Sequence, residues 1–200
     1  MSGQKKRTRL TPEARRAQLL EVAKTIIVED GLQGFSMEAL ARRAEVSSPL
    51  VYNYFDSRIA TLQALLVAEH ATYAQRVRRD VSRAENFEDI VRAFVRSNVE
   101  HFTPGNIIPI LSSQPEIASA IAEQRRQERQ DSAQFLVNAA ASTYALSRPQ
   151  AELLVQMSSA ASIAAAEWGA SRRVSKARTI DAAVGYILAG IAHLAATDER

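Results

Sequence analysis

The stretch between residues 36 and 58 contains the side chains of this chain that are best suited to binding chemistry. Hydroxyl, phenol and amide groups follow one another there, where a buried helix would have leucines. The residues concerned are Ser48, Pro49, Leu50, Tyr52, Asn53 and Tyr54. Such polar groups hydrogen-bond to base edges or phosphate oxygens, and an apolar side chain can contact a thymine methyl group. The residue types therefore indicate direct reading of double-stranded DNA.

Two short helices must position these side chains. The sequence predicts one helix from about residue 37 to 44 and another from 48 to 54, with a sharp turn at Glu45-Val46 between them. A thin apolar face holds the second helix against its own domain. Its predicted members are Phe35, Ala39, Leu40, Ala44, Val46, Val51 and Phe55. This is the build of a helix-turn-helix, although periodicity alone leaves open a helical hairpin with a polar surface.

The composition narrows the function classes. Of the 200 residues, 46% are apolar and none is cysteine, so disulfides, thiolate metal sites and a cysteine nucleophile are excluded. No uncharged apolar run approaches the length of a membrane span, and no apolar stretch follows the basic N-terminus as a secretory signal requires. We therefore expect a cytoplasmic protein without membrane contact.

Charge is concentrated at the N-terminus. The whole chain has a net charge of +3, whereas residues 1–16 contain six basic residues and one acidic residue, a net charge of +5. We interpret residues 1–10 as a flexible basic arm that faces phosphate groups, with Lys5, Lys6 and Arg7 as its DNA contacts. A solvated tail without a function is the alternative.

The remaining pattern is helical throughout, and the predicted class is all-α with nine helices. Helices are expected over about 12–30, 37–44, 48–54, 56–79, 86–101, 107–111, 115–144, 147–169 and 175–196. Residues 11–56 form the predicted DNA-binding domain, and residues 57–200 form a helical domain for ligand binding and dimerisation.

The last two helices are rich in small residues, which let helix backbones approach closely. Two such helices from each of two chains make a two-fold four-helix bundle, so we predict a homodimer. The predicted interface residues are Met157, Ala161, Ala165, Ile180, Val184, Ile187, Leu188 and Ile191. Packing within a single chain is the alternative explanation of the same stripe.

The N-terminal part of the sequence matches a known protein family. Residues 15–62 resemble the DNA-binding domain of the TetR family of bacterial transcriptional regulators. The matching segments are Leu-Leu-x-Val-Ala, Glu-Asp-Gly-Leu-x-Gly-Phe-Ser, Leu-Ala-Arg-Arg-Ala-x-Val-Ser and Leu-Val-Tyr-Asn-Tyr-Phe-Asp-Ser-Arg, followed by Leu62. Glu45 departs from the glycine usual in the turn, and Arg58 departs from the usual lysine.

The resemblance implies a homodimer that binds a palindromic operator and, as a repressor, is released by a small-molecule effector. It also implies that residues of the recognition helix face DNA and that Arg58 contacts the DNA backbone. With the basic arm, the full predicted DNA-binding set is Lys5, Lys6, Arg7, Ser36, Met37, Ser47, Ser48, Pro49, Leu50, Tyr52, Asn53, Tyr54 and Arg58.

Position alone selects the predicted effector pocket, which suits a small and largely apolar molecule. Its lining residues are Phe94, Asn98, His101, Phe102, Ile110, Phe135, Asn138 and Trp168. The alternative for each of them is an ordinary place in the core or on the surface. Too few ligands accompany the histidines for a metal site, and no cofactor is expected.

Two other classes of protein are alternatives to a DNA-binding regulator. An enzyme is disfavoured because the sequence has no phosphate-binding glycine loop, no nucleophile elbow and no His-Glu-x-x-His motif. A helical adaptor would use the small-residue face to bind a protein partner and would bury the recognition tyrosines in that partner. DNA binding that weakens steeply with salt distinguishes a regulator from both.

Overall fold

The computed structural model describes residues 10–197, and every regular element among them is a helix. In chain order the α-helices are α1 (Pro12–Gly34), α2 (Met37–Arg43), α3 (Ser48–Tyr52), α4 (Arg58–Ser82), α5 (Phe87–His101), α6 (Ile108–Ser112), α7 (Pro115–Ala118), α8 (Ala122–Tyr144), α9 (Arg148–Ser171) and α10 (Lys176–Thr197). A 3-10 turn, Ser119–Ile121, joins α7 directly to α8. The predicted all-α class is confirmed.

The nine-helix prediction treats residues 115–144 as one helix. In the structure this stretch is helical throughout, but it changes type over Ser119–Ile121. Counted as one interrupted helix, it gives the predicted nine-helix layout over the described range 10–197. The tighter repeat of a 3-10 turn changes the path of the chain.

Helix starts coincide with the capping residues visible in the sequence. The Thr11 hydroxyl accepts a hydrogen bond from the backbone N–H of Ala14 at 3.2 Å, ahead of the proline that opens α1. The Asn86 side chain accepts from the N–H of Asp89 at 2.9 Å at the start of α5. These bonds satisfy N–H groups that have no partner within the helix, so the caps determine where the helices begin.

The described contacts divide the chain into two compact units. The first unit runs as far as Ala68 and also contains Ile110–Ala120. Its buried apolar side chains are Leu19, Leu20, Ala23, Ile26, Ile27, Phe35, Leu40, Val51, Phe55, Leu62, Leu65 and Leu66, among others. This unit therefore includes the first turns of α4. The boundary predicted at residues 56 and 57 separates functions rather than packing units, and it stays a prediction.

The second unit contains Glu69–Pro109 and the chain from Ile121 onwards. Helices α5, α8, α9 and α10 pack together in it. Its core consists of Phe87, Val91, Val95, Val99, Val137, Ala140, Ala151, Leu154, Ala166, Ala183, Val184, Ile187 and Ile191. The apolar stripe of α10 is thus part of the interior of this unit.

Helix α10 is the described helix with the strongest apolar character. Residues Lys176–Ala196 have a mean hydropathy of 1.5, which by length and composition alone suffices to cross a membrane. Val184, Ile187 and Ile191 of this helix are buried against α5 and α9. Of the most apolar window of this helix 28% is buried, so packing within the unit covers only part of it.

Helices α9 and α10 approach each other closely at Gly169. A Cβ atom placed on this glycine would lie 2.5 Å from Oγ1 and 2.9 Å from Cγ2 of the buried Thr179. The Thr179 hydroxyl is held in place by a 3.2 Å hydrogen bond to the carbonyl of Ser175. Only a residue without a side chain fits at this crossing.

We expect Gly169→Ala to destabilise the protein by about 2 kcal/mol, because the added methyl group must displace Thr179 or separate the two helices. Chemical denaturation measures the change in the free energy of unfolding. Thr179→Ala is the matched second substitution, since it removes both atoms nearest to the new methyl group. The double variant should recover at least about 1 kcal/mol relative to the sum of the single changes. Strict additivity of the two effects would contradict the proposed contact.

Candidate nucleic-acid interface

The recognition helix α3 is attached to its unit through buried side chains on one side. Val51 is fully buried, and Phe55, which follows the helix, is buried as well. Leu40 and Ala41 of α2 are buried at the preceding helix, with which α3 makes its main contacts. The guanidinium of Arg16 lies 5.3 Å from the centre of the Phe55 ring, a cation–π contact from the start of α1. A helix of one and a half turns is stable only with such tertiary support.

The turn between α2 and α3 has a left-handed residue at its centre. Glu45 has a φ angle of 54°, and its N–H donates to the carbonyl of Arg42 at 3.3 Å. The N–H of Val46 donates to the carbonyl of Ala41 at 3.0 Å. This pair of bonds is a Schellman ending, which usually places glycine where this chain has glutamate. Glu45 therefore adopts a left-handed conformation that is strained for a residue with a side chain.

The opposite side of α3 is free. Ser47, Pro49, Tyr52 and Asn53 are exposed, and 46% of Tyr52 is accessible to solvent. Ser48, Leu50 and Tyr54 are partly buried. The seven predicted recognition residues thus follow one another along an accessible strip of α3 and its two ends. Their hydroxyl, phenol and amide groups can donate to and accept from base edges and phosphate oxygens.

The structure corrects the predicted DNA-binding set at Met37, which does not lie on the surface. Its side chain is buried, and the Thr61 hydroxyl donates to its sulfur atom at 3.3 Å. The neighbouring Ser36 is partly buried, and its hydroxyl accepts from the N–H of Ala39 at 3.0 Å as the cap of α2. Met37 is therefore a core residue, and the Ser36 side chain already has a structural partner.

Arg58 has a structural role in addition to the predicted one. Its Nε donates to the carbonyl of Phe35 at 3.0 Å, and one terminal nitrogen donates to the carbonyl of Leu32 at 2.8 Å. The guanidinium also lies 5.9 Å from the centre of the Phe35 ring. Arg58 therefore joins the start of α4 to the link between α1 and α2. A contact of its remaining N–H groups with the DNA backbone stays a prediction.

A groove of about 430 Å³ adjoins this arginine within the first unit. Its walls are formed by Leu32, Gln33, Phe35, Arg58, Ile59, Gln114, Pro115, Glu116 and Ile117. Gln63 bridges α4 to this region by donating to the carbonyl of Glu116 at 2.7 Å. None of the predicted effector residues lines the groove.

Basic side chains near α3 differ in what they bind. Arg43 forms ion pairs with Glu29 and Asp30 of α1, so its charge is used inside the unit. Arg42 is exposed in the last turn of α2, and its side chain has no hydrogen bond or ion pair within residues 10–197. Arg42 is thus a candidate phosphate contact outside the predicted DNA-binding set. Its position beside the turn between α2 and α3 can be recognised in the sequence. Lys5, Lys6 and Arg7 lie outside the described residues.

The predicted effector residues do not form one group. Phe94, Asn98, His101 and Phe102 are partly buried on α5 and at its end, and the Asn98 amide donates to the hydroxyl of Ser162 at 2.9 Å. Phe135, Asn138 and Trp168 are exposed. Ile110 is exposed and belongs to the first unit. The position of a residue in the sequence could not show whether its side chain is partly buried or exposed. No group of three or more potential metal ligands occurs within the searched part of the chain.

The predicted interface on α10 also needs correction. Val184, Ile187 and Ile191 are buried in the core of their own unit, and Ala165, Ile180 and Leu188 pack against that core. These six side chains face inward because the small-residue helices α9 and α10 pack closely on α5 and on each other. Ala161 is partly buried. Met157 alone among the predicted interface residues is well exposed, at 54%.

A different apolar face of α9 and α10 is accessible. Leu153, Met157 and Trp168 are exposed on α9 at helical spacing, and 72% of Tyr186 on α10 is accessible. Gly185 and Gly190 of α10 have open space where a side chain would lie. We call these exposed residues of α9 and α10 together the outer α9–α10 face.

Helices α2 and α3, with the turn between them, have the arrangement of a helix-turn-helix. Residues 19–65 match the family model described as bacterial regulatory proteins, tetR family. This match covers 47 of the 200 residues, so the likeness to the TetR family lies in the N-terminal part of the chain.

A curated relative is similar in sequence. The chain is 29% identical over 106 residues to the HTH-type transcriptional activator FasR of Mycolicibacterium smegmatis. The match covers 52% of this chain and 48% of FasR, so it spans about half the length of that relative.

Solved structures share the fold over nearly the whole chain. A TetR-like transcriptional regulator from Rhodococcus sp. RHA1 superimposes with a TM-score of 0.67 at 18% identity, covering 92% of this chain and 99% of that one. A transcriptional regulator from Pseudomonas aeruginosa PAO1 gives a TM-score of 0.71 at 17% identity, covering 94% and 96% of the two chains. At such identities the likeness establishes the fold.

We expect Glu45→Gly to stabilise the protein by about 1 kcal/mol, because glycine adopts a positive φ angle without the steric cost that glutamate has. Chemical denaturation of the variant and the parent protein measures the difference. Glu45→Ala is the control, since alanine keeps the steric cost of the left-handed conformation. Equal stabilisation by glycine and alanine would mean that the glutamate side chain, rather than its backbone, is unfavourable.

Proposed function

We propose that the protein is a cytoplasmic homodimeric regulator that binds a palindromic operator with α3 and is released by a small-molecule effector. The observation that supports DNA reading most strongly is the division of α3 between a buried attachment, Val51, and an exposed polar strip around Tyr52. A short helix that is attached by one side can place the phenol, amide and hydroxyls of its other side against base edges. Each two-fold-related α3 would contact one half-site, so operator symmetry follows protein symmetry.

The apolar character of the outer α9–α10 face supports the homodimer. Exposed apolar side chains in a continuous patch mark interaction surfaces. Tyr186 and Trp168 provide large aromatic area, and Gly185 and Gly190 allow a partner helix to approach. A second copy offers the same self-complementary surface, as two-fold contacts require.

The direction of regulation is a separate question. The family resemblance favours repression, whereas the relative FasR is named an activator. A reporter driven by the bound promoter distinguishes the two, because loss of this protein raises expression under repression and lowers it under activation. We propose repression with release by an effector, which requires only that the effector prefers the DNA-free state.

Tyr52→Ala should weaken operator binding by about 100-fold, since each subunit loses a side chain that contacts the DNA. Fluorescence anisotropy on the duplex upstream of the protein's own gene measures the affinity, at a stated salt concentration and against an unrelated duplex. Val28→Ala is the matched control, because Val28 on α1 is exposed to a similar extent, 48% against 46%. Neither variant should change the melting temperature appreciably.

Several outcomes would contradict this proposal. Equal DNA affinity of Tyr52→Ala and Val28→Ala would exclude Tyr52 as a contact. A lower melting temperature of Tyr52→Ala would identify the tyrosine as structural. No binding of the parent protein to any duplex at low salt would favour the adaptor alternative.

Charges on the outer α9–α10 face should dissociate the homodimer. We expect Met157→Arg combined with Tyr186→Arg to give a monomer at micromolar concentration, because four arginines would then face one another across the two-fold axis. Sedimentation velocity measures the molecular mass. Val28→Arg, which adds charge to an exposed apolar site on α1, should leave the dimer intact. A dimer that persists in the double variant would exclude this face as the interface.

A further inference from the structure

Arg125 on α8 is a partly buried cation without a charge partner. Among the described residues its guanidinium has neither a hydrogen bond nor an ion pair. Its neighbours in sequence and space are compensated: Arg126 binds Glu123 at 2.7 Å, and Arg76 binds Glu100 at 2.7 Å. A partly buried charge without a partner costs stability, so a protein that keeps one has a use for it.

Helix α4 contacts α8 one turn beyond this arginine. Glu128 lies one turn beyond Arg125 on the same face of α8, and its carboxylate is 3.5 Å from Nε2 of His70 on α4. His70 is only 6% exposed, and its Nδ1 atom is buried without a hydrogen-bond partner in the described range. The cluster therefore combines an uncompensated cation with an unsatisfied polar atom.

Tyr73 and His101 complete the cluster. Burial raises the pKa of the Tyr73 hydroxyl, and hydrogen bonding to Ser97 and the charges of Arg76 and Arg125 oppose the rise. Burial lowers the pKa of His101, and the charge of Arg125 lowers it further. The charge of Arg125 thus extends to side chains on both α4 and α5.

Both imidazoles are neutral near pH 7 for the same reasons. Burial lowers the pKa of His70, Glu128 opposes this shift, and Arg125 and Arg78 add to it. A neutral imidazole has one N–H donor, and the neutral phenol has one O–H donor. Arg78 lies 3.8 Å from Glu128, so that carboxylate already has a cationic neighbour. One positive charge, that of Arg125, is left to be balanced.

We propose that this cluster binds the carboxylate group of a small organic monoanion, with Arg125 as its charge partner. The inference rests on the proposed release by an effector and names the chemical class of that effector. A planar guanidinium matches a carboxylate through two parallel hydrogen bonds. His101 supplies a neutral donor beside it, whereas the single N–H of neutral His70 faces Glu128. A single negative charge on the ligand neutralises the charge of Arg125. The second negative charge of a dianion would be left unbalanced and would be repelled by the carboxylate of Glu128.

The body of the ligand is apolar. The Phe102 ring lies edge-on to His101 with their ring centres 5.3 Å apart, and Phe102 packs against the apolar core of the second unit. Phe94, two turns earlier on α5, is partly buried. Phenyl rings beside a polar end group are typical of sites for small, largely apolar ligands.

The test is isothermal titration calorimetry of the DNA-free protein with hexanoate and with benzoate. Hexanamide and benzamide are the matched uncharged probes, because each replaces only the carboxylate. Arg125→Gln should weaken acid binding about 30-fold, the effect of losing a charge-assisted hydrogen-bonded pair. Arg126→Gln is the matched control, since Arg126 is the next residue and its side chain is 72% exposed. It should bind both acids as the parent protein does.

Thermal unfolding without ligand provides an independent readout. Arg125→Gln should raise the melting temperature by about 2 °C, because it removes an uncompensated and partly buried charge. Arg126→Gln should not raise it. If Arg125→Gln fails to fold, Arg125→Lys serves instead; it keeps the charge but loses the two-bond geometry, and it should lower the affinity for both acids.

The results of these experiments distinguish failure of the carboxylate site from failure of the proposed DNA-binding function. Equal binding of acids and amides, unchanged binding by Arg125→Gln, or no binding of either acid at concentrations on the order of 10 mM would overturn the carboxylate site. Operator binding by the same preparation would then show that the DNA-binding function stands. Acid binding that depends on Arg125 but leaves the DNA complex intact would support the site and exclude release by this class of ligand.

Discussion

The proposed DNA-binding surface depends on the burial of one side of a very short helix. Helix α3 has five residues, too few to persist in water without tertiary contacts. Burial of Val51 and Phe55, together with the Schellman ending at Glu45, fixes its position and leaves its other side free. Only a helix held in this way can present Tyr52 and Asn53 in one fixed arrangement. Any loss of the buried side would therefore remove the recognition surface as well.

Local signals predicted the elements of this fold accurately. Capping side chains such as Thr11 and Asn86 act on N–H groups three residues away, so sequence alone identifies the helix starts. The helix-turn-helix was predictable for the same reason, since its turn and its apolar face lie within about twenty residues. The change to a 3-10 turn at Ser119–Ile121 was not predictable, because no proline or glycine marks it. It became apparent only from the three-dimensional path of the chain.

Side-chain partners were predicted less well, because they depend on residues far away in the sequence. Met37 adjoins the recognition helix in sequence but contacts Thr61 in the core. On α10, small residues on several sides leave the inward face ambiguous, and Ile187 was assigned outward although it is buried. Tyr186, its neighbour, is exposed instead. A one-residue difference turns a helical side chain by about 100°, so an apolar stripe on a small-residue helix can be misassigned easily.

Selection of duplexes from a random pool by the purified protein tests the central claim most directly, because it requires no knowledge of the genomic target. If α3 reads base edges as one of a two-fold pair, the selected sequences will contain a palindrome. Its half-sites will be separated by about one helical turn, or a multiple of it, along the DNA. Enrichment of a sequence without symmetry would contradict the homodimeric arrangement. No enrichment over the starting pool at low salt would contradict DNA recognition by α3 itself.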